Sequence, residues 1–172
     1  MGPGKVDLRE ELKVLCRTFE KYRVKYLLIG GLGVILQGIP RHTDDIDFML
    51  SPEPENIEQL KKALYEVFQD ESVWEISPED IKYAVIRYGT PKEYAVDLLF
   101  RLGEVADYKS LKSYEETILL EGIPVKTLSK EGLIFLKKDT PRPQDQYDVY
   151  LLKKLLEKEK KRCGGRLSIF SR

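Results

Sequence analysis

The stretch from Tyr26 to Leu50, YLLIGGLGVILQGIPRHTDDIDFML, limits what this chain can fold into more than any other. An apolar run ends in Gly30-Gly31, a short helical segment follows, and Gly38-Ile39-Pro40 closes it. The next strand, Asp45 to Leu50, alternates, with Ile46 and Phe48 on one face and Asp45 and Asp47 on the other. A glycine pair at a strand-to-helix junction lets the backbone approach a phosphate closely, beside free N–H donors. It also serves as a plain packing turn, and alone it does not choose between the two.

The acidic strand is more telling. Residues two apart on a strand project to one face, about 6.5–7 Å apart at Cα. Such carboxylates suit Mg²⁺ or Mn²⁺, with substrate phosphates completing the octahedron. The plainer alternative is a solvent-facing edge strand. Against it, Asp44, Asp45 and Asp47 crowd three repelling, strand-averse residues into four positions, which a bound cation would offset.

Two-metal chemistry needs a third carboxylate. Asp97 is the candidate, a single charge in the apolar run AVDLLF, costly there unless paired or metal-bound. If strand 93–100 lies beside strand 45–50, the three carboxylates converge. The competing reading is an ion pair of Asp97 with Arg41 or Arg87.

The remaining pattern frames this site. Leu8, Leu12, Leu15, Phe19 and Tyr22 make an amphipathic helix of residues 5–23. A second helix is expected over 55–69. Strands are expected over 82–88 and 93–100, joined by Gly89-Thr90-Pro91-Lys92, and over 116–120 and 123–127 around Glu121-Gly122. Ser129 opens a helix ending near Lys138, and a last helix spans about 144–160. The expected organisation is a single domain over 1–160: an N-terminal helix (1–24), a sheet core (25–128) and closing helices (129–160). A basic tail, 161–172, follows, with Gly164-Gly165 expected to free it.

With 42% hydrophobic residues and zero formal net charge, the chain can build a core and carries no global field for nucleic acid. Residues 151–172 nevertheless hold eight Lys/Arg against Glu157 and Glu159. That suits either RNA phosphates or a solvated helix end. One histidine (His42) and two distant cysteines leave little for zinc. No apolar run approaches the roughly 20 residues that span a bilayer, and the N-terminus becomes charged at once. The expected location is cytoplasmic, with no membrane partner.

Gly30-Gly31, Asp45-Ile46-Asp47-Phe48 and a later strand bearing Asp97 resemble the DNA polymerase beta-like nucleotidyltransferase superfamily. The Arg41-x-Thr43 approach to the acidic strand resembles its branch related to AbiEii-type toxins. So does the closing segment LSKEGLIFLKKDTPRPQDQYDVYLL, with Lys137, Arg142 and Asp145. The likeness covers about residues 20–155. It departs from the minimal nucleotidyltransferase antitoxins, which have serine where Gly31 stands.

The resemblance implies an α+β fold: a mixed β-sheet flanked by helices, with a C-terminal helical segment. It implies transfer of an NMP from an NTP, ATP first among them, to a hydroxyl acceptor. That acceptor is an RNA 3′ end, a protein hydroxyl or a small molecule. Asp45, Asp47 and Asp97 would be the catalytic metal ligands, and Gly30 and Gly31 would cradle phosphates. Lys137 would touch the β/γ-phosphates, or else be an ordinary cation at a helix C-terminus. Arg41 and Thr43 would orient the loop or touch substrate, or Thr43 simply bonds local backbone. Arg142 and Asp145 could pair with each other or cap the last helix. A partner protein, as in a toxin–antitoxin pair, is also implied. The alternative is a catalytically silent module of the same fold that binds a nucleotide or a protein or RNA partner.

Overall fold

The structure, a computed structural model, describes residues 4–77, 79–82 and 85–169. Helix α1 (Leu8–Lys21) starts where the Asp7 carboxylate accepts the Arg9 N–H at 3.0 Å, a normal N-cap. Strand β1 (Tyr26–Ile29) leads into α2 (Gly30–Leu36), and β2 (Asp45–Leu50) is followed by α3 (Pro54–Phe68). Pro54 sits in the first turn of α3, where its missing N–H costs nothing. After 3₁₀ turns at Glu71–Glu75 and Asp80–Lys82 come β3 (Val85–Gly89) and β4 (Ala95–Leu99). Residues 83 and 84, expected in the strand 82–88, lie outside the described residues.

A small ribbon, β5 (Arg101–Leu102) and β6 (Ala106–Asp107), and the short α4 (Tyr108–Leu111) fill a segment whose sequence has no clear period. Then come β7 (Glu115–Leu120), β8 (Ile123–Leu128), α5 (Lys130–Lys137) and α6 (Pro143–Ile169). Glu121 and Gly122 both have positive φ, +49° and +82°, so the β7–β8 turn has the twist that tight hairpins require. Helix α6 corrects one expectation: it runs through Gly164 and Gly165 to Ile169 instead of ending near 160.

Six strands form one mixed sheet in the order β3-β4-β2-β1-β8-β7. Pairs β1/β2, β3/β4 and β7/β8 are antiparallel, whereas β2/β4 and β1/β8 are parallel. This is the α+β architecture expected, with helices on both faces. Strand alternation divides the core. Tyr26, Leu28, Ile46, Phe48, Leu50, Val96 and Leu98 meet Leu12, Leu15 and Phe19 of α1 and Leu60 and Leu64 of α3. Leu27, Ile29, Met49 and Leu99 face the other way, toward Val34 of α2, Leu133 of α5 and Leu152 of α6. Asp45, Asp47 and Asp97 share the parity of that second face. The apolar pattern of β2 and β4 therefore orients the carboxylates as a consequence of packing.

Phe19, Tyr26 and Phe48 form an aromatic cluster with ring centroids 5.0–5.4 Å apart, all fully or almost fully buried beneath the acidic strand. Phe48→Ala is expected to lower stability by about 3–5 kcal/mol, read as a fall in the urea midpoint at unchanged slope.

Candidate active site

The site is one row across the sheet. Ile29 on β1 pairs with Asp47 on β2, Asp47 pairs with Asp97 on β4, and Asp97 pairs with Arg87 on β3. Residues in such a row point to the same face, with neighbouring strands about 4.8 Å apart. The parallel β2/β4 register thus brings together the carboxylates that sequence alone left some fifty residues apart. Asp45 stands one step along the same face of β2, opposite Ala95.

Charge crowding is severe here. Burial, then repulsion from Asp97 and Asp45, pushes the Asp47 carboxyl up to about 7, while Lys137 pulls it back. The guanidinium of Arg87 spans the other two carboxylates. Its Nη1 donates to Asp97 Oδ1 and Oδ2 at 3.2 and 3.0 Å, and its Nη1 and Nη2 lie 3.4 Å from the Asp45 oxygens. The ion pair with Arg87, one of the competing readings of Asp97, is therefore present. It does not displace the clustering of the carboxylates. The pair with Arg41 does not form: Arg41 turns to Asp148 instead.

The glycine pair fits beneath this row. A Cβ on Gly30, whose φ is +68°, would stand 2.1 Å from Asp47 Oδ2. A Cβ on Gly31 would stand 2.7 Å from Thr43 Oγ1 and 3.4 Å from Arg41 Cζ. Gly30 is thus shaped by the acidic strand and Gly31 by the loop leading into it. Thr43 Oγ1 approaches the Asp45 carbonyl at 3.4 Å, and the Arg41 Nε donates to the His42 carbonyl at 3.3 Å. His42 itself is exposed, beside Asp44 at 2.8 Å.

Lys137, at the end of α5, is nearly buried. Its Nζ lies 2.6 Å from Asp145 Oδ1 and 3.1 Å from Asp148 Oδ2. Arg41 Nη1 lies 2.5 Å from Asp148 Oδ2, and Gln144 Nε2 donates to Asp148 Oδ1 at 3.0 Å. Thr140 Oγ1 donates to Asp145 Oδ2 at 2.8 Å. Arg142 only approaches Asp145, at 3.9 Å, with its side chain largely exposed.

Asp148 is the residue that sequence reasoning missed. It is fully buried and joins the loop before β2, the end of α5 and the start of α6. Its signal was present: a carboxylate one turn after Asp145, on the helix face that buries Val149 and Leu152. Asp148→Ala would leave Arg41 without its carboxylate and Lys137 with one partner in place of two. A loss of about 3 kcal/mol or more is expected, measured by urea unfolding.

The donor set suits a hard divalent cation: short carboxylates on rigid strands, with excess negative charge and a guanidinium already standing in as counter-ion. Among the described residues, no three or more His, Cys, Asp or Glu side chains are placed to hold a metal ion as they stand. In this arrangement Asp45 and Asp97 face Arg87 instead.

The six-stranded mixed sheet, with Asp47 and Asp97 paired beside Gly30-Gly31, is the arrangement that the nucleotidyltransferase resemblance implies. Residues 8–168 match the family described as nucleotidyl transferase of unknown function (DUF2204), and the chain belongs to that family. The solved structures to which it is similar include three nucleotidyltransferase-fold proteins. The first is ANT(2″)-Ia in complex with adenylyl-2″-tobramycin (TM-score 0.56, 15% identity, 89% of this chain and 91% of that one covered). The second is the lincosamide antibiotic adenylyltransferase LnuA, lincomycin-bound (0.53, 19%, 84% and 95%). The third is an antigenic nucleotidyltransferase-like protein from Paracoccidioides brasiliensis (0.51, 17%, 86% and 76%). At these identities the likeness is one of fold. No curated protein matches the chain by sequence. Among the described residues, no helix is long and apolar enough to cross a membrane.

Proposed function

We propose that this nucleotidyltransferase moves an NMP from an NTP, with ATP the first candidate, to a hydroxyl acceptor. The observation that carries the reading is the in-register row Asp47–Asp97, with Asp45 beside it and Gly30 closing one end. Asp45, Asp47 and Asp97 would hold Mg²⁺ or Mn²⁺, which would supply charge stabilisation at the attacking and leaving oxygens. Gly30 and Gly31, whose Cβ positions are taken by Asp47 and Thr43, let the glycine turn pack directly against the acidic strand and its loop, where it would cradle the triphosphate. The acceptor oxygen attacks the α-phosphorus, the bond to the β-phosphate oxygen breaks, and pyrophosphate leaves. Asp97, on the strand beside Asp47, helps draw the proton from the acceptor hydroxyl. Arg41 and Thr43 orient the loop before the acidic strand or touch substrate, and Lys137 supplies positive charge toward the β/γ-phosphates. In the resting arrangement Lys137 and Arg41 are held by Asp145 and Asp148, so their effect on phosphates is at longer range or follows rearrangement.

The decisive assay incubates the full chain with α-labelled NTPs, Mg²⁺ or Mn²⁺, and RNA, protein and small-molecule fractions. Label transfer that is lost in Asp47→Asn is expected. No product with any metal would instead favour the silent binding module. The two similar structures that hold adenylyl-2″-tobramycin and lincomycin make small hydroxyl compounds the first fraction to fractionate further. Arg41, Thr43, Lys137, Arg142 and Asp145 support placement in the AbiEii-related branch, with a toxin–antitoxin role. Growth arrest on expression, relieved by Asp47→Asn, is the expected outcome for a toxin. Free Cys16 and Cys163, the latter exposed, suit a reducing cytoplasm.

A further inference from the structure

Arg87 occupies the oxygens that a metal would need. Both Asp97 oxygens and both Asp45 oxygens face its guanidinium, at 3.0–3.4 Å. Yet Arg87 is not built into the core. Its side chain is 59% exposed, on β3, the strand at the edge of the sheet, so it can swing into solvent without opening a cavity. The other basic groups near the acidic row are already engaged, Lys137 with Asp145 and Asp148 and Arg41 with Asp148. Arg87 is therefore the counter-ion that holds the carboxylates together in the resting protein.

Resting on the reading of these carboxylates as the metal site, we propose that Arg87 is a displaceable internal cation that couples metal binding to nucleotide binding. An arriving divalent ion competes with the guanidinium for the same carboxylate oxygens and repels it. The displaced guanidinium then needs another anion, and the triphosphate of the incoming nucleotide supplies one in the fork geometry that arginine favours. Free metal binds poorly because it must expel Arg87 unaided. Metal and nucleotide together bind well because each relieves the cost that the other meets, a coupling that is reciprocal by linkage.

The test measures Mn²⁺ binding to the full-length protein without nucleotide, by electron paramagnetic resonance of free Mn²⁺, and then with a non-hydrolysable NTP analogue. Arg87→Gln is expected to bind Mn²⁺ alone roughly tenfold more tightly than wild type, an ordinary one-charge effect. It should also lose a similar factor from the gain that Mn²⁺ gives to analogue binding. Lys21→Gln, which breaks a surface pair with Glu66 on α1 and α3, controls for net charge and should match wild type. Equal tightening in Lys21→Gln, or none in Arg87→Gln while Asp47→Asn still abolishes binding, overturns the role of Arg87 and leaves the metal site standing. Absence of any Asp47-dependent Mn²⁺ binding, in wild type and Arg87→Gln alike, overturns the metal site itself, and the role of Arg87 with it.

Discussion

Asp47→Asn is expected to cut nucleotidyl transfer on the order of 10²–10³-fold and, at the same time, to make the metal-free protein more stable. The two effects have one cause. The carboxyl is raised to about 7 in the fold by burial and by the neighbouring Asp97 and Asp45, against about 3.9 in an unfolded chain. An acid whose pKa is raised on folding binds its proton more tightly in the native state. The native state is thus favoured below about pH 4, and that advantage is lost as pH rises through 7. Above pH 7 the ionised group opposes folding, and asparagine removes that opposition.

The expected gain at pH 8 is about 2–4 kcal/mol, bounded above by the difference of about three pKa units, at roughly 2–4 °C of melting temperature per kcal/mol. At pH 5 the difference should shrink, because wild type already carries the proton there. Added Mg²⁺ or Mn²⁺ should raise the melting temperature of wild type and leave the variant nearly unmoved. A variant that melts lower than wild type at pH 8 would show that Asp47 is a structural partner and not a strained ligand.

Gly30→Ala should disable the same site with the opposite sign on stability. Alanine at a φ of +68° costs about 1–2 kcal/mol in backbone strain alone. Its Cβ would also stand 2.8 Å from Asp47 Cγ and 3.0 Å from Asp47 Cβ, so a rotation of the carboxylate does not fully relieve the contact. A total loss of about 2–4 kcal/mol is expected, together with loss of transfer, because Asp47 is driven out of line with Asp97. In an Asp47→Ala background most of the clash disappears, so Gly30→Ala should cost less there. A coupling energy of about 1–2 kcal/mol is expected from the double-mutant cycle. Additive effects would mean that the glycine answers to the turn alone and not to the acidic strand.

Much of this was written locally. The alternation of Asp45, Ile46, Asp47 and Phe48 set which side chains face a core and which do not, because strand geometry has a fixed period of two. The Ser129 cap and the apolar positions after it placed α5: the Ser129 Oγ accepts the Gly132 N–H at 3.3 Å. Glu121-Gly122 placed the last hairpin. By contrast, the ribbon of residues 101–107 carries too few residues per strand to show a period. The helix through Gly164 and Gly165 runs against the low helix propensity of glycine.

The sequence by itself carried the pattern from which the class is recognised by resemblance: a glycine pair, an acidic strand and a lone aspartate in an apolar strand are local features with local physical causes. Tertiary structure decided which charges meet. The β2/β4 register set Asp97 beside Asp47, and the β3/β4 register set Arg87 over both Asp97 and Asp45. The packing of α6 buried Asp148 between Arg41 and Lys137. Such pairings depend on the register of strands and the seating of helices many residues apart. Long-range electrostatics follows that geometry, and no short window of sequence encodes it.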